Sequence, residues 1–151
     1  ITKNMDTTNL LHKELSYKVV GCVYEVRKDY GSGNKELVYQ NALAEKLTAI
    51  NIPFLREYGI AIKSIDSGKT LGNYKLDFVI DNKIIVEVKV LKFTPTKIEQ
   101  QLYAYLRSTD YEVGYLVNFG STRLYIKRII LTNDYKHTNT TNINTKITNT
   151  N

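Results

Sequence analysis

The sequence predicts a single α/β domain: two helices, a three-stranded antiparallel meander, a third helix and two closing strands. Three observations carry this expectation. Apolar residues recur at helical spacing in three separate segments. Runs of alternating β-formers fill the stretch between residues 57 and 90. Turn residues mark each change of texture.

In the first helix Leu11, Leu15, Val19, Val23 and Val26 fall at three- and four-residue steps, one face packed on a core. Gly31 and Gly33 break it, and Asn34 reads as an N-cap for a second helix in which Leu37, Val38, Ala42, Leu47 and Ile50 restart the period. Glu36 then lies in the first turn. Tyr39, Leu43 and Leu47 line a face at fourfold spacing, a structural role for Tyr39.

After Pro53 the predicted strands are 57–65, 74–80 and 84–90, joined by the DSGKTLG loop and the DNK turn. Thr94 and Pro95 start a helix, with Pro95 suited to its first position, and Ile98, Leu102, Tyr105 and Leu106 mark its buried stripe before Ser108. Strands near 112–118 and 123–131 complete a domain spanning 1–131. The remainder, 132–151, is dominated by Thr and Asn and has too few apolar residues to offset the entropy of ordering, so a disordered tail is expected there.

With 151 residues, 42% of them hydrophobic, the chain can bury a core without a disulfide or structural metal. Cys22 is the sole cysteine and His12 and His137 the only histidines, which excludes an intramolecular disulfide and a zinc-type Cys/His cluster. No apolar run approaches the roughly 18 residues of a membrane span. The expectation is a soluble, cytoplasmic protein with no membrane partner. A net charge of +6 and a pI near 9.3 favour a polyanionic partner such as nucleic acid, although the Lys and Arg residues are scattered rather than clustered.

The hairpin DFVIDNKIIVEVK places charge where strands bury themselves. Folding it at Asp81 to Lys83 sets Asp77 opposite position 86 or 87, depending on whether the loop has two or three residues. Glu87 and Lys89 point to one face, and Val86, Val88 and Val90 to the other, toward a helix. Such a face suits solvent, with Lys89 pairing the acids across strands. It equally suits Mg²⁺ or Mn²⁺, which take hard oxygen ligands from one or two carboxylates and share them with substrate phosphates.

Asp77 followed by Glu87-Val88-Lys89 resembles the PD-(D/E)xK nuclease signature, and GNKELVY resembles the Gly-x-x-Glu-x-x-Tyr motif of a small family within that superfamily. QLYAY resembles the Gln-x-x-x-Tyr helix motif of RecB-like nucleases, and GYLVNFGSTRLYIKRII that family's closing segment. The resemblance runs from about residue 10 to residue 130. Many relatives carry His at the position of Arg27 and Pro at that of Ser32.

The resemblance implies a restriction-endonuclease-like αβββαβ core, a mixed sheet flanked by helices, with one extra N-terminal helix and one extra C-terminal strand. It implies a metal-dependent nuclease acting on DNA. Asp77, Glu87 and the Val88 carbonyl would ligate Mg²⁺ or Mn²⁺, and Lys89 would position or activate the attacking water. Glu36 would join the site, and Gln101 and Tyr105 would touch the substrate backbone or steady Lys89. Alternatives are a non-cleaving nucleic-acid-binding or regulatory module on the same fold, and a homodimer that resolves branched DNA. Arg123, Lys127 and Arg128 read as solvated strand charges rather than phosphate contacts.

Overall fold

The computed structural model describes residues 11–138. The elements are α1 (Lys13–Tyr30), α2 (Glu36–Ala49), β1 (Phe54–Lys63), β2 (Thr70–Ile80), β3 (Ile84–Lys89), α3 (Thr96–Arg107), β4 (Val113–Asn118) and β5 (Tyr125–Ile130). One five-stranded sheet runs in the order β1-β2-β3-β4-β5. All neighbours are antiparallel except β3 and β4, which run parallel because α3 carries the chain back across the sheet between them. The α/β class and the mixed sheet flanked by helices are as the sequence predicts.

Both faces of the sheet are covered. Val19, Cys22, Val23 and Val26 of α1 and Tyr39, Ala42, Leu43 and Leu47 of α2 pack on Phe78, Ile80, Ile84, Val86, Val88 and Val117. On the other face Leu102, Tyr105 and Leu106 of α3 meet Leu76, Val79, Ile85 and Leu116. Burial from both sides explains why β3 and β4 read as nearly unbroken apolar runs. It also excludes the solvated face that the hairpin charges would otherwise suit, since Glu87 keeps only 5% of its surface.

Several local expectations are corrected. Asn34 does not cap α2: Lys35 holds that position without a side-chain bond, and the Asn34 amide donates instead to the Tyr30 carbonyl at 2.8 Å. Leu37, Val38 and Ile50 are exposed, and the buried stripe is the fourfold series Tyr39, Leu43, Leu47. Pro95 precedes the first helical residue of α3 rather than occupying it. β1 and β2 start earlier than predicted, at Phe54 and Thr70, because they form one long hairpin whose outer half needs no apolar alternation to stay paired. Residues 133–138 are helical, with the Lys136 ammonium donating to the carbonyls of Thr109 and Tyr111. The rest of the Thr/Asn-rich segment lies outside the described residues. No helix among the described residues is long and apolar enough to cross a membrane.

Candidate active site

The site begins where β2 and β3 part. Their ladder runs Ile80↔Ile84, Val79↔Ile85 and Phe78↔Val86, the register of a three-residue loop, and one further step brings Asp77 to Glu87. At that step the two side chains replace the backbone as partners. The Asp77 N–H donates to Glu87 Oε1 at 3.1 Å, and the Val88 N–H donates to Asp77 Oδ2 at 2.8 Å. Each carboxylate thus fills a gap in the sheet.

Asp77 lies where the facing of β1 and β2 changes. Phe54, Phe78 and Ile80 pack on the α1–α2 side, whereas Ile60 and Leu76 pack on the α3 side, so the facing of both strands changes between them. The change centres on Glu57, whose φ of 48° is left-handed and which lies out of the ladder between the pairs Arg56↔Phe78 and Tyr58↔Leu76. Glu57 and Asp77 are skipped together with the register unchanged, and after burial the Glu57 charge adds to the rise in the Asp77 pKa.

The other sequence-predicted residues gather unevenly. Lys89, at the end of β3, is half-buried and forms no ion pair among the described residues, so it is not locked to Glu87. Glu36, in the first turn of α2, is half-buried and accepts a bond from the Gln40 amide at 3.3 Å. Burial raises its pKa, the Lys89 ammonium lowers it and the Asp77 charge raises it, which places Glu36 within the field of the cluster. Tyr105 approaches from α3: burial, then the charges of Glu87, Tyr74 and Asp77, push its hydroxyl up to about 12. Gln101, one turn away, is exposed and no side-chain hydrogen bond ties it to the cluster. Val88 is fully buried by its side chain on the α1–α2 face.

The two acids are held against their own charge. Burial and then the neighbouring Asp77 raise the Glu87 pKa to about 8, and burial also raises that of Asp77, with the two carboxyls within hydrogen-bonding reach of each other. A raised carboxyl pKa means that the folded state holds a proton the unfolded chain has lost, so the contribution of Glu87 to stability is fully present below the unfolded value of 4.5 and is lost as pH climbs toward 8. Metal-free protein is therefore expected to melt at a lower temperature at about pH 8 than at about pH 5, and Glu87→Gln to flatten that slope. A wild-type profile that stays level, measured by calorimetry in chelator, would contradict the arrangement.

Asn118 was not singled out in the sequence, yet it builds the floor of the site. It is fully buried opposite Lys89 in the β3–β4 register. Its Oδ1 accepts from the N–H groups of Leu91 and Gly120, and its Nδ2 donates to the Leu91 carbonyl and to Thr94 Oγ1, all between 2.9 and 3.0 Å. The Phe119 N–H donates to the Lys89 carbonyl at 2.9 Å. A Cβ on Gly120 would stand 2.6 Å from the Leu91 nitrogen. Backbone cannot yield there as a side chain could, and overpacking costs about 1–3 kcal/mol. Gly120→Ala is expected to lower unfolding stability by about 2 kcal/mol, read by denaturant titration.

Tyr39 connects that floor to Glu36. Its ring stacks on Phe119 with centroids 4.5 Å apart and planes 3° from parallel. Its hydroxyl donates to the Gly31 carbonyl at 2.7 Å and accepts from the Asn34 N–H at 3.2 Å, fixing the loop just before Glu36. Arg27 closes the same network, donating to the carbonyls of Phe119, Ser121 and Thr122. The signal for Asn118 was present in the Asn-Phe-Gly triplet, but nothing in a strand-ending asparagine distinguishes a clamp from a turn residue.

Among the described residues no three His, Cys, Asp or Glu side chains form a complete cage. Two carboxylates and a backbone carbonyl are nevertheless the donor set that a hard divalent cation accepts while it retains waters, and such a cation would relieve the repulsion between Asp77 and Glu87. The sequence profile of the PD-(D/E)XK nuclease superfamily matches residues 13–129.

The chain belongs to the PD-(D/E)XK nuclease superfamily. Members of the PD-(D/E)XK superfamily are in general nucleases and typically use divalent metals, which agrees in kind with an acid pair and a lysine at one strand end. No curated protein sequence matches the chain. Among solved structures, the crystal structure of SSO0001 is similar over 85% of this chain and 79% of its own, at 19% identity and a TM-score of 0.41.

Proposed function

We propose that this PD-(D/E)XK domain, of the Gly-x-x-Glu-x-x-Tyr type, is a metal-dependent nuclease that hydrolyses phosphodiester bonds in DNA. One observation carries the reading: a Lys89 with no ion pair among the described residues beside two carboxyls whose pKa values burial raises. A site built for stability alone would pair that lysine with the acids.

Asp77, Glu87 and the Val88 carbonyl would hold Mg²⁺ or Mn²⁺, and the bound cation would supply counter-charge to phosphoryl oxygens and acidify a water. The Lys89 ammonium orients the attacking water and donates to the oxyanion that develops as the phosphodiester bond breaks. Glu36, within the field of Lys89 and Asp77, would supply a further carboxylate that accepts a hydrogen bond from that water. Tyr105, kept protonated, donates its O–H toward the substrate backbone, and Gln101 offers its amide to the same strand from the exposed turn above.

The test is purified protein with Mg²⁺ or Mn²⁺ against single-stranded, duplex, nicked and branched DNA, and against RNA. Metal-dependent cleavage of DNA that chelator abolishes is the expected result. Binding without cleavage on every substrate and metal would replace the enzyme with a binding module on the same fold. Cleavage confined to RNA would correct the substrate.

A further inference from the structure

The loop between β3 and α3 exposes what a soluble domain ordinarily hides. Phe93, four residues beyond Lys89, leaves 75% of its surface to solvent. The loop is not slack. Asn118 grips Leu91 on one side of Phe93 and Thr94 on the other, and Gly120 presses against the Val90–Leu91 backbone from below. A rigid base therefore displays a large aromatic ring that packs on none of the core, and the Lys92 ammonium lies 5.7 Å from the centre of that ring. Lys97, exposed in the first turn of α3, adds positive charge to the same segment.

Burying such a ring elsewhere would stabilise the fold, since a phenylalanine side chain gains about 1.5–3 kcal/mol on full burial. Its exposure on a clamped loop four residues beyond Lys89 instead suits a ligand with a flat apolar face and a negative charge beside it. Every nucleobase has a π-face, every nucleotide carries a phosphate, and an aromatic ring with an ammonium group beside it engages both at once. In a duplex the base faces are already stacked on their neighbours, so the ring can take only a base that is unpaired.

We propose that Phe93 and Lys92 form a stacking site for an unpaired base of a single strand whose backbone passes over the Asp77–Glu87–Lys89 cluster. The inference rests on the nuclease reading and adds to it the state of the strand: single, frayed or splayed beside the bond to be cut. Phe93 stacks on the base, Lys92 meets the adjoining phosphate, and Asn118 positions both by holding the ends of their loop.

The chain contains no tryptophan, so Phe93→Trp introduces a sole tryptophan that can be excited apart from the tyrosines. The Phe93→Trp protein is titrated in chelator, where cleavage is stopped, with a short oligothymidylate and with a duplex of equal length, while anisotropy of a labelled oligonucleotide reports binding independently. The expected result is quenching of the tryptophan by the single strand and much less by the duplex. Phe93→Ala should weaken single-strand binding by about tenfold with melting unchanged, because the ring supports no core. If the single strand binds but the tryptophan signal stays fixed and Phe93→Ala binds as wild type, the stacking site is wrong and the nuclease reading stands. If neither nucleic acid binds, both fall. If Phe93→Ala leaves binding alone but changes the sedimentation of the free protein, the ring serves contact between copies and the proposal is overturned.

Discussion

Replacing Lys89 by alanine is expected to slow phosphodiester cleavage by at least about a hundredfold while leaving the fold and metal binding intact. Lys89 forms no ion pair among the described residues, so its removal strands no buried partner. Its charge acts on the water and on the phosphoryl oxygen as negative charge builds there, and that added charge is absent from the bound ground state. The loss should therefore appear in kcat with KM nearly unchanged. Single-turnover cleavage, circular dichroism and a melting curve on the same preparation separate the outcomes. Normal cleavage by Lys89→Ala would remove the lysine from the chemistry, whatever the fate of the nuclease reading.

Loss of either acid should act on the metal instead. Asp77→Asn and Glu87→Gln are expected to weaken Mn²⁺ binding at least about tenfold by calorimetry. These amide variants are the informative ones. Asp77 Oδ2 and Glu87 Oε1 each accept a backbone N–H, and alanine would orphan those amides inside the sheet at a cost of about 1–3 kcal/mol each. Asparagine and glutamine keep an acceptor oxygen and remove only the charge. They should melt at or above the wild-type temperature at about pH 8, because burial and then the Asp77 charge, which together lift Glu87 to about 8, no longer act on a pair of buried charges. Equal Mn²⁺ affinity in wild type and both variants would separate the acid pair from any metal role.

Much of the fold was legible because each element carries its own period. The turn Asp81 to Lys83 and the alternation on both sides of it brought Asp77 to Glu87 within one residue, and a three-residue loop then decides between the two registers. The fourfold series Tyr39, Leu43, Leu47 was legible as a core stripe, although the competing series through Leu37 and Ile50 looked as strong. Other features are tertiary. A left-handed Glu57 is invisible in a sequence with no glycine at that position, and it lies where the facing of β1 and β2 changes. The capping role expected of Asn34 lost to the Tyr39 hydroxyl, which takes the Asn34 N–H and leaves the side chain to bond Tyr30. The gathering of Asp77, Glu87 and Lys89 follows from local spacing, whereas the partners of Asn118 and Arg27 lie at long sequence separations that spacing does not reveal.

Since the acids stand in for backbone acceptors at the point where β2 and β3 separate, the amide protons of Asp77 and Val88 are wired to the chemistry. A carboxylate that takes up a proton or is drawn onto a cation becomes a weaker acceptor, and the N–H it holds must respond. These two protons are consequently native spectroscopic probes: their nitrogen and proton frequencies should titrate together with pH, move again when a divalent ion is added, and ignore both in the opposite-edge strand β5. The same wiring couples occupancy of the site to the seam between two central strands, so slow hydrogen exchange at Val88 would register loading of the site without a substrate, a label or a turnover.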